Sequence, residues 1–378
     1  MTLELTREET TETSSRLFNS PKTKSQPVVN SFNEWDCLEE VIVGIVDYAT
    51  IPPWHLTVQS TVPSKHENFI KKFGGQPFPQ ELVQAANKEL DQFAKLLNAE
   101  GVIVKRPNPV DNTLSFNTPD WQSPSGLYQA MPRDLLLVIG DMLIEAPMAW
   151  RSRYYEINGY RNLLKDYFQL GARWISAPKP QLTNALYNFD YVESLPGPQR
   201  EYAITEFEPT FDAADFTRCG KDIFVQKSNV TNSFGIEWLR RHIGNQYTIH
   251  ELEFYDSHPM HIDATLVPLA PGHVLVNPER VSKLPKMFDS WNVIYAPPSC
   301  IPQDHPLYMS SSWLSMNILM LDEKRVVVEE SEEPLIKLFK ENGFQPITCS
   351  FRNFNSFGGS FHCATLDVRR NGTLQSYF

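Results

Sequence analysis

Cys363 directly follows His362 in GGSFHCATLDVRR, residues 358–370. A thiol beside an imidazole has three readings: a nucleophile with its base, half of a metal site, or a buried thiol in a strand. Side chains alternate between the two faces of a strand, so a strand through FHCATLDV turns His362 away from Cys363. On that expectation His362 is a poor base for its neighbour, and the two do not share a metal. A cysteine in an apolar strand is more often core than nucleophile. The preceding Gly358-Gly359 lets backbone approach a ligand closely. A working base therefore has to come from elsewhere in the chain.

Of the nine histidines, His261 in HPMHIDATLVPLAP is the strongest candidate. In a strand it shares a face with Asp263, while Met260 and Ile262 take the other. A carboxylate beside an imidazole orients it and raises its pKa; the pair can equally serve only to finish a strand end. Asp212 and Asp215 lie in FEPTFDAADFTRCGKD, and Asp134 stands at the start of an apolar run in AMPRDLLLVIGD. A charge entering a buried strand needs a partner or a ligand. An arginine could answer Asp134, and Asp212 could cap a turn. Taken together the set is more informative. Carboxylates around a thiol weaken it as a nucleophile. They make sense if the substrate is a cation, because a planar guanidinium is gripped by carboxylates and its charge favours a nearby thiolate.

The elements that must position these residues recur along the chain. QELVQAANKELDQFAKLLNAEGVIVKRP puts Leu82, Ala86, Leu90, Phe93 and Leu97 on one helical face, stops at Gly101 and restarts as a strand. The scheme returns around Gly171, Gly244 and Gly343. A fifth copy, RVSKLPKMFDSWNVIYAP, keeps the switch from helix to strand without the glycine. Strand-like runs such as DLLLVIGDMLIEAP and ATLVPLAPGHVLVNP come in pairs before the helices. The unit is strand, strand, helix, strand, about five times over. That favours a closed, pseudo-symmetric α/β arrangement over a doubly wound sheet, which uses single strands and a Gly-rich phosphate turn absent here.

The 378 residues carry 41% hydrophobic and 21% charged side chains and a net charge of −11. That balance argues against a nucleic-acid binder. The cysteines, Cys37, Cys219, Cys300, Cys349 and Cys363, are odd in number and widely spaced, which disfavours a disulfide framework or a zinc site. Residues 1–30, rich in Thr, Ser, Glu and Lys, read as a disordered tail before one catalytic domain over 31–378. The N-terminus has no signal- or transit-peptide character, and no apolar run reaches membrane-spanning length. A cytoplasmic protein is expected, with no membrane or nucleic-acid partner.

FDAADF, PMHIDAT, FHC and the closing RRNGTLQSY are similar to motifs of the arginine amidinotransferases, as are MPRD, EAPMAWRSR, DHPLYMSSSWLSMN and DEKRVVV. The resemblance runs from about residue 30 to the end. That family belongs to the guanidine-modifying superfamily and has a five-bladed α/β propeller (pentein) fold. The resemblance implies a ping-pong transfer from L-arginine to a primary amine, with ornithine released, no metal or organic cofactor, and a homodimer. Carried over by motif, Cys363 is the nucleophile, His261 the acid–base, and Asp212 its partner. Asp134 and Asp263 flank the guanidinium. Tyr128, Arg280 and Ser311 hold the amino-acid end of the donor. Where glycine-using members read Asn-Pro-Met, this chain has His258 before Pro259 and Met260, which puts glycine as acceptor in doubt. The sequence looks most like the cyanobacterial amidinotransferases of guanidinium alkaloid assembly, the saxitoxin branch among them, whose acceptor is a polyketide-derived amino ketone. The alternatives are glycine as acceptor, or a hydrolase of the superfamily that gives citrulline.

Overall fold

The computed structural model describes residues 27–197, 199–306 and 309–378. The first sheet contains β1 (Cys37–Val43) and β2 (Ile103–Lys105), linked through α1 (Leu56–Gln59), α2 (Glu67–Phe73) and α3 (Gln80–Ala99). A small ribbon, β3 (Phe116–Asn117) with β4 (Gln122–Ser123), leads to the one-turn helix α4 (Pro132–Leu135). The second sheet follows as β5 (Leu136–Ile139), β6 (Met142–Glu145), α5 (Arg161–Gln169) and β7 (Arg173–Ser176). The third is β8 (Phe216–Cys219), β9 (Asp222–Gln226), α6 (Ser233–Ile243) and β10 (Thr248–Leu252). The fourth is β11 (Leu266–Ala270), β12 (His273–Val276) and β13 (Asn292–Tyr295). The fifth is β14 (Leu319–Met320), β15 (Arg325–Glu329), α7 (Glu333–Glu341) and β16 (Gln345–Cys349). After α8 (Arg352–Asn355), β17 (Thr365–Asn371) returns to β1 and closes the first sheet.

Every sheet pairs its first two strands antiparallel and its last two parallel. The strand-strand-helix-strand unit is thus repeated around a ring, and the molecule is a five-bladed α/β propeller. Gly101, Gly171, Gly244 and Gly343 all take positive φ where helix turns back to strand, a conformation that favours glycine. The fourth unit departs from expectation. Between β12 and β13 it has only a 3-10 turn, Lys286–Phe288, in place of a helix. Pro285 explains this, since it lacks an N–H and biases Leu284 away from helical angles.

Residues 1–26 of the expected tail lie outside the described residues. Its last residues are packed: Val29 is 1% exposed, and the Asn30 N–H donates to the Val368 carbonyl at 3.0 Å. On α3 the buried face holds Ala86, Leu90, Phe93 and Leu97, with Val83 more deeply set than Leu82. Phe93 packs edge-on to Phe351 and Phe361, at 5.3 and 5.1 Å between ring centres. Each buried ring contributes about 1.5–3 kcal/mol. The same face carries Glu89, which accepts from the N–H groups of Asn353 (3.2 Å) and Phe354 (2.9 Å) at the start of α8. α3 thus anchors the segment that leads into Cys363. A buried ion cluster ties neighbouring blades together. Arg218 donates to Glu34 (2.7 Å) and Asp367 (2.8 Å), and Arg133 and Arg370 also pair with Asp367.

Candidate active site

One structural position recurs around the ring: the short turn just before the first strand of each blade. Asp134 lies in α4, before β5. Asp212 caps the 3-10 turn Ala213–Asp215, before β8. His261 and Asp263 flank and enter the turn Ile262–Ala264, before β11. Ser311 and Asn317 bracket the turn Ser312–Met316, before β14. Cys363 lies in the turn at 361–364, before β17. Pseudo-fivefold geometry brings these turns to one cavity of about 540 Å³, lined by Cys363, His261, Asp134, Asp263, Tyr128, Arg280, Ser311, Met260 and His258. Asp212 stands just behind the wall and reaches the cavity through His261.

Two local expectations are corrected. Cys363 is not in a strand, because β17 begins only at Thr365. Period-two alternation therefore does not relate His362 to Cys363. Both instead converge on one oxygen: Asp263 Oδ2 is 2.7 Å from His362 Nδ1 and accepts from Cys363 Sγ at 3.3 Å. Nor does a strand join His261 to Asp263, since β11 starts at Leu266. His261 has φ 57° and ψ 124°. A non-glycine residue held there stores about 1–3 kcal/mol of strain, and it aims the ring away from Asp263. His261 Nε2 is 3.0 Å from Asp212 Oδ2, and Nδ1 is 3.7 Å from Asp134 Oδ1.

The charges explain the protonation states. Burial alone lowers the His261 pKa, but Asp134, then Asp212 and Asp215, outweigh it and lift the imidazolium to about 10. Burial, Asp263 and Asp134 push the Cys363 thiol well above its ordinary value. The resting pair is therefore a thiol and an imidazolium. Asp134 Oδ2 accepts from Arg153 Nη1 at 2.8 Å, and Arg153 is clamped in turn by Glu156 at 2.7 and 2.8 Å. Asp134 Oδ1 and Asp212 Oδ1 are buried with no hydrogen-bond partner. Such oxygens call for donors, and a guanidinium supplies only donors. Asp134, His261 and Cys363 also bring their polar atoms within 4.8 Å of one another.

Gly359 lets the thiol turn close: a Cβ there would lie 2.4 Å from Met131 Sδ and 2.8 Å from Cys363 Cβ. At the outer end, Arg280 Nη1 meets Asp256 Oδ2 at 3.1 Å, and His258 Nε2 meets Glu193 Oε2 at 3.2 Å.

No protein-family model matches the sequence. The chain is 59% identical to an L-arginine:L-lysine amidinotransferase of Pseudomonas savastanoi pv. phaseolicola, over 92% of this chain and 96% of that one. The chain belongs to the amidinotransferase family. The enzyme is also 50% identical to the mitochondrial glycine amidinotransferase of Gallus gallus, over 95% of this chain and 86% of the relative. Among solved structures it is similar to SxtG, an amidinotransferase of the saxitoxin pathway from Microseira wollei. That match has 54% identity, a TM-score of 0.89, and covers 93% of this chain and 99% of that one. DDAH from Pseudomonas aeruginosa, at 15% identity and a TM-score of 0.53 over 87% of this chain and 99% of that one, shares the fold. The enzyme is thus an arginine-dependent transferase of the amidinotransferase type.

The sequence alone assigned no role to Arg153, in EAPMAWRSR, or to Asn317, in DHPLYMSSSWLSMN. Arg153 is 2% exposed, and a buried arginine between two carboxylates leaves no periodic signal. Among the described residues, no helix is long and apolar enough to cross a membrane.

Proposed function

We propose that Cys363 takes the amidino group of L-arginine and passes it to a primary amine. The guanidinium enters between Asp134 and Asp263, with Asp212 behind His261, and its charge draws the buried thiol toward thiolate. Sulfur attacks the guanidinium carbon; the S–C bond forms and the bond from that carbon to the arginine Nε breaks. The thiol proton passes to solvent as arginine binds and is regained when sulfur is released at the end of the cycle; His261 gives its own proton to the leaving nitrogen, which departs as the δ-amine of ornithine, and is left neutral. His261 then accepts a proton from the acceptor amine, which attacks the amidino carbon; the N–C bond forms and sulfur leaves. Asp212 orients His261. Tyr128, Arg280 and Ser311 hold the amino-acid end of the donor. The observation that carries this reading is Asp134, whose buried Oδ1 has no hydrogen-bond partner, lining a cavity that also holds the thiol and the imidazolium.

For the acceptor we propose an amine larger than glycine, a polyketide-derived amino ketone of guanidinium alkaloid toxin assembly. His258, paired with Glu193 and lining the cavity beside Met260, supports an acceptor pocket unlike that for glycine. The 59% identity to a lysine-using relative favours L-lysine as the second reading. We further propose a cytoplasmic homodimer, on family resemblance; a monomer by light scattering would remove the dimer. Incubation with arginine and no acceptor is the test of the chemistry. About one ornithine per chain is expected, whereas steady citrulline formation identifies a hydrolase and sinks the transfer. Turnover with lysine, glycine and amino ketones then ranks acceptors; efficient use of glycine contradicts the reading of His258.

A further inference from the structure

Asn317 is 1% exposed and lies at the cavity wall, just after the turn Ser312–Met316. Its Oδ1 accepts from the backbone N–H of Ser360 at 3.1 Å and of Cys363 at 2.9 Å. Those two donors fix which end of the amide is oxygen, because an amide nitrogen cannot accept. Nδ2 is left buried with no acceptor among the described residues. An unmade buried donor costs about 1–3 kcal/mol, so a partner within the working cycle is called for.

Chemistry narrows the partner. A guanidinium offers only N–H donors and cannot accept from Nδ2. The sulfur of Cys363 can. Five groups bear on that sulfur, directly or through a carboxylate, from four blades. Asp263, on the turn before β11, and Asp134, on α4, raise the thiol's pKa along with burial, whereas the Asn317 side chain pulls it down. His261 offsets part of the charge of both carboxylates. His362 donates to Asp263 from the far side.

We infer that Asn317 is a catalytic donor whose Nδ2–H bonds the Cys363 sulfur whenever that sulfur carries negative charge. This happens twice: when arginine has drawn the thiol to thiolate, and when sulfur leaves the amidino carbon on transfer to the acceptor. A preorganised donor at a charge that develops only during reaction is worth most in a dry site. The inference rests on Cys363 as nucleophile, and its test is read separately from turnover. In the full-length enzyme, alkylation of Cys363 by iodoacetamide is followed against pH by mass mapping of its peptide, without arginine. Asn317→Leu removes the donor without adding charge, and its alkylation midpoint is expected to rise by about one pH unit or more. Its arginine half-reaction is expected to fall about 10²–10³-fold. A folded Asn317→Leu with the wild-type midpoint overturns the inference, since loss of a mere tether leaves the midpoint in place. If that variant does not fold, Asn317→Asp decides: its oxygen still accepts from Ser360 and Cys363, and a wild-type midpoint and ornithine burst overturn the inference. Absence of ornithine from wild type would instead sink the proposed function.

Discussion

At the sulfur end of the cavity, charged side chains are buried and held by one another: Asp134 by Arg153, Asp212 by His261, Asp263 by His362. At the mouth, His258 and Glu193 are 26% and 48% exposed and pair across two loops. The inner groups sit in turns fixed by the blades, and removing one member of a buried pair costs about 3–5 kcal/mol. The outer pair is worth about 0–1 kcal/mol. The inner end can change little without loss of chemistry or fold, whereas the mouth can change at small cost. That contrast fits a family whose named relatives are an L-arginine:L-lysine and a glycine amidinotransferase, and it is the reason the proposed acceptor determinants lie at the mouth.

The contrast can be broken at either end. The largest effect is expected from Cys363→Ser, which abolishes ornithine release while arginine still binds by calorimetry; retained turnover would refute the covalent route. Asp212→Asn comes next, with the arginine half-reaction down about 10²–10⁴-fold. The same variant lowers the His261 midpoint, read by NMR of the ring, from about 10 by about 1–3 units. An unmoved midpoint removes Asp212 as the partner. The sign for stability follows. Because folding raises the His261 pKa, its contribution is full below about 6.5 and fades as pH rises toward about 10. Arg218→Ala leaves Glu34 and Asp367 buried with fewer partners and is expected to lower stability by about 3–5 kcal/mol in urea. The smallest change is Glu193→Gln, expected to alter stability by under about 1 kcal/mol. Its preference between lysine and glycine should still shift, by up to about tenfold. An equal loss with every acceptor would place Glu193 outside acceptor choice.

The repeated unit was legible because hydrophobic period and glycine stops are local signals; all five sheets keep its strand pairing, and the fourth replaces the helix with a 3-10 turn. Cys363, His261, Asp134 and Asp212 were legible as chemistry; the pairing of His261 with Asp212 came from the family resemblance and not from local spacing. Asp263 was expected to orient His261 through a shared strand face. The turn before β11 and the positive φ of His261 send the two side chains to different partners. Asn317 and Arg153 escaped because their roles depend on contacts between blades, which no local pattern encodes. Glu89 on the otherwise apolar face of α3 belongs to the same class, since its partners at Asn353 and Phe354 are about 260 residues away.

The central claim is that the amidino group rests on Cys363 between donor and acceptor. Acceptor-free enzyme incubated with arginine, digested and mapped by mass spectrometry, is predicted to carry one amidino group on the Cys363 peptide, lost when an acceptor amine is added. An unmodified Cys363 alongside accumulating ornithine, or an adduct on another residue, would contradict it.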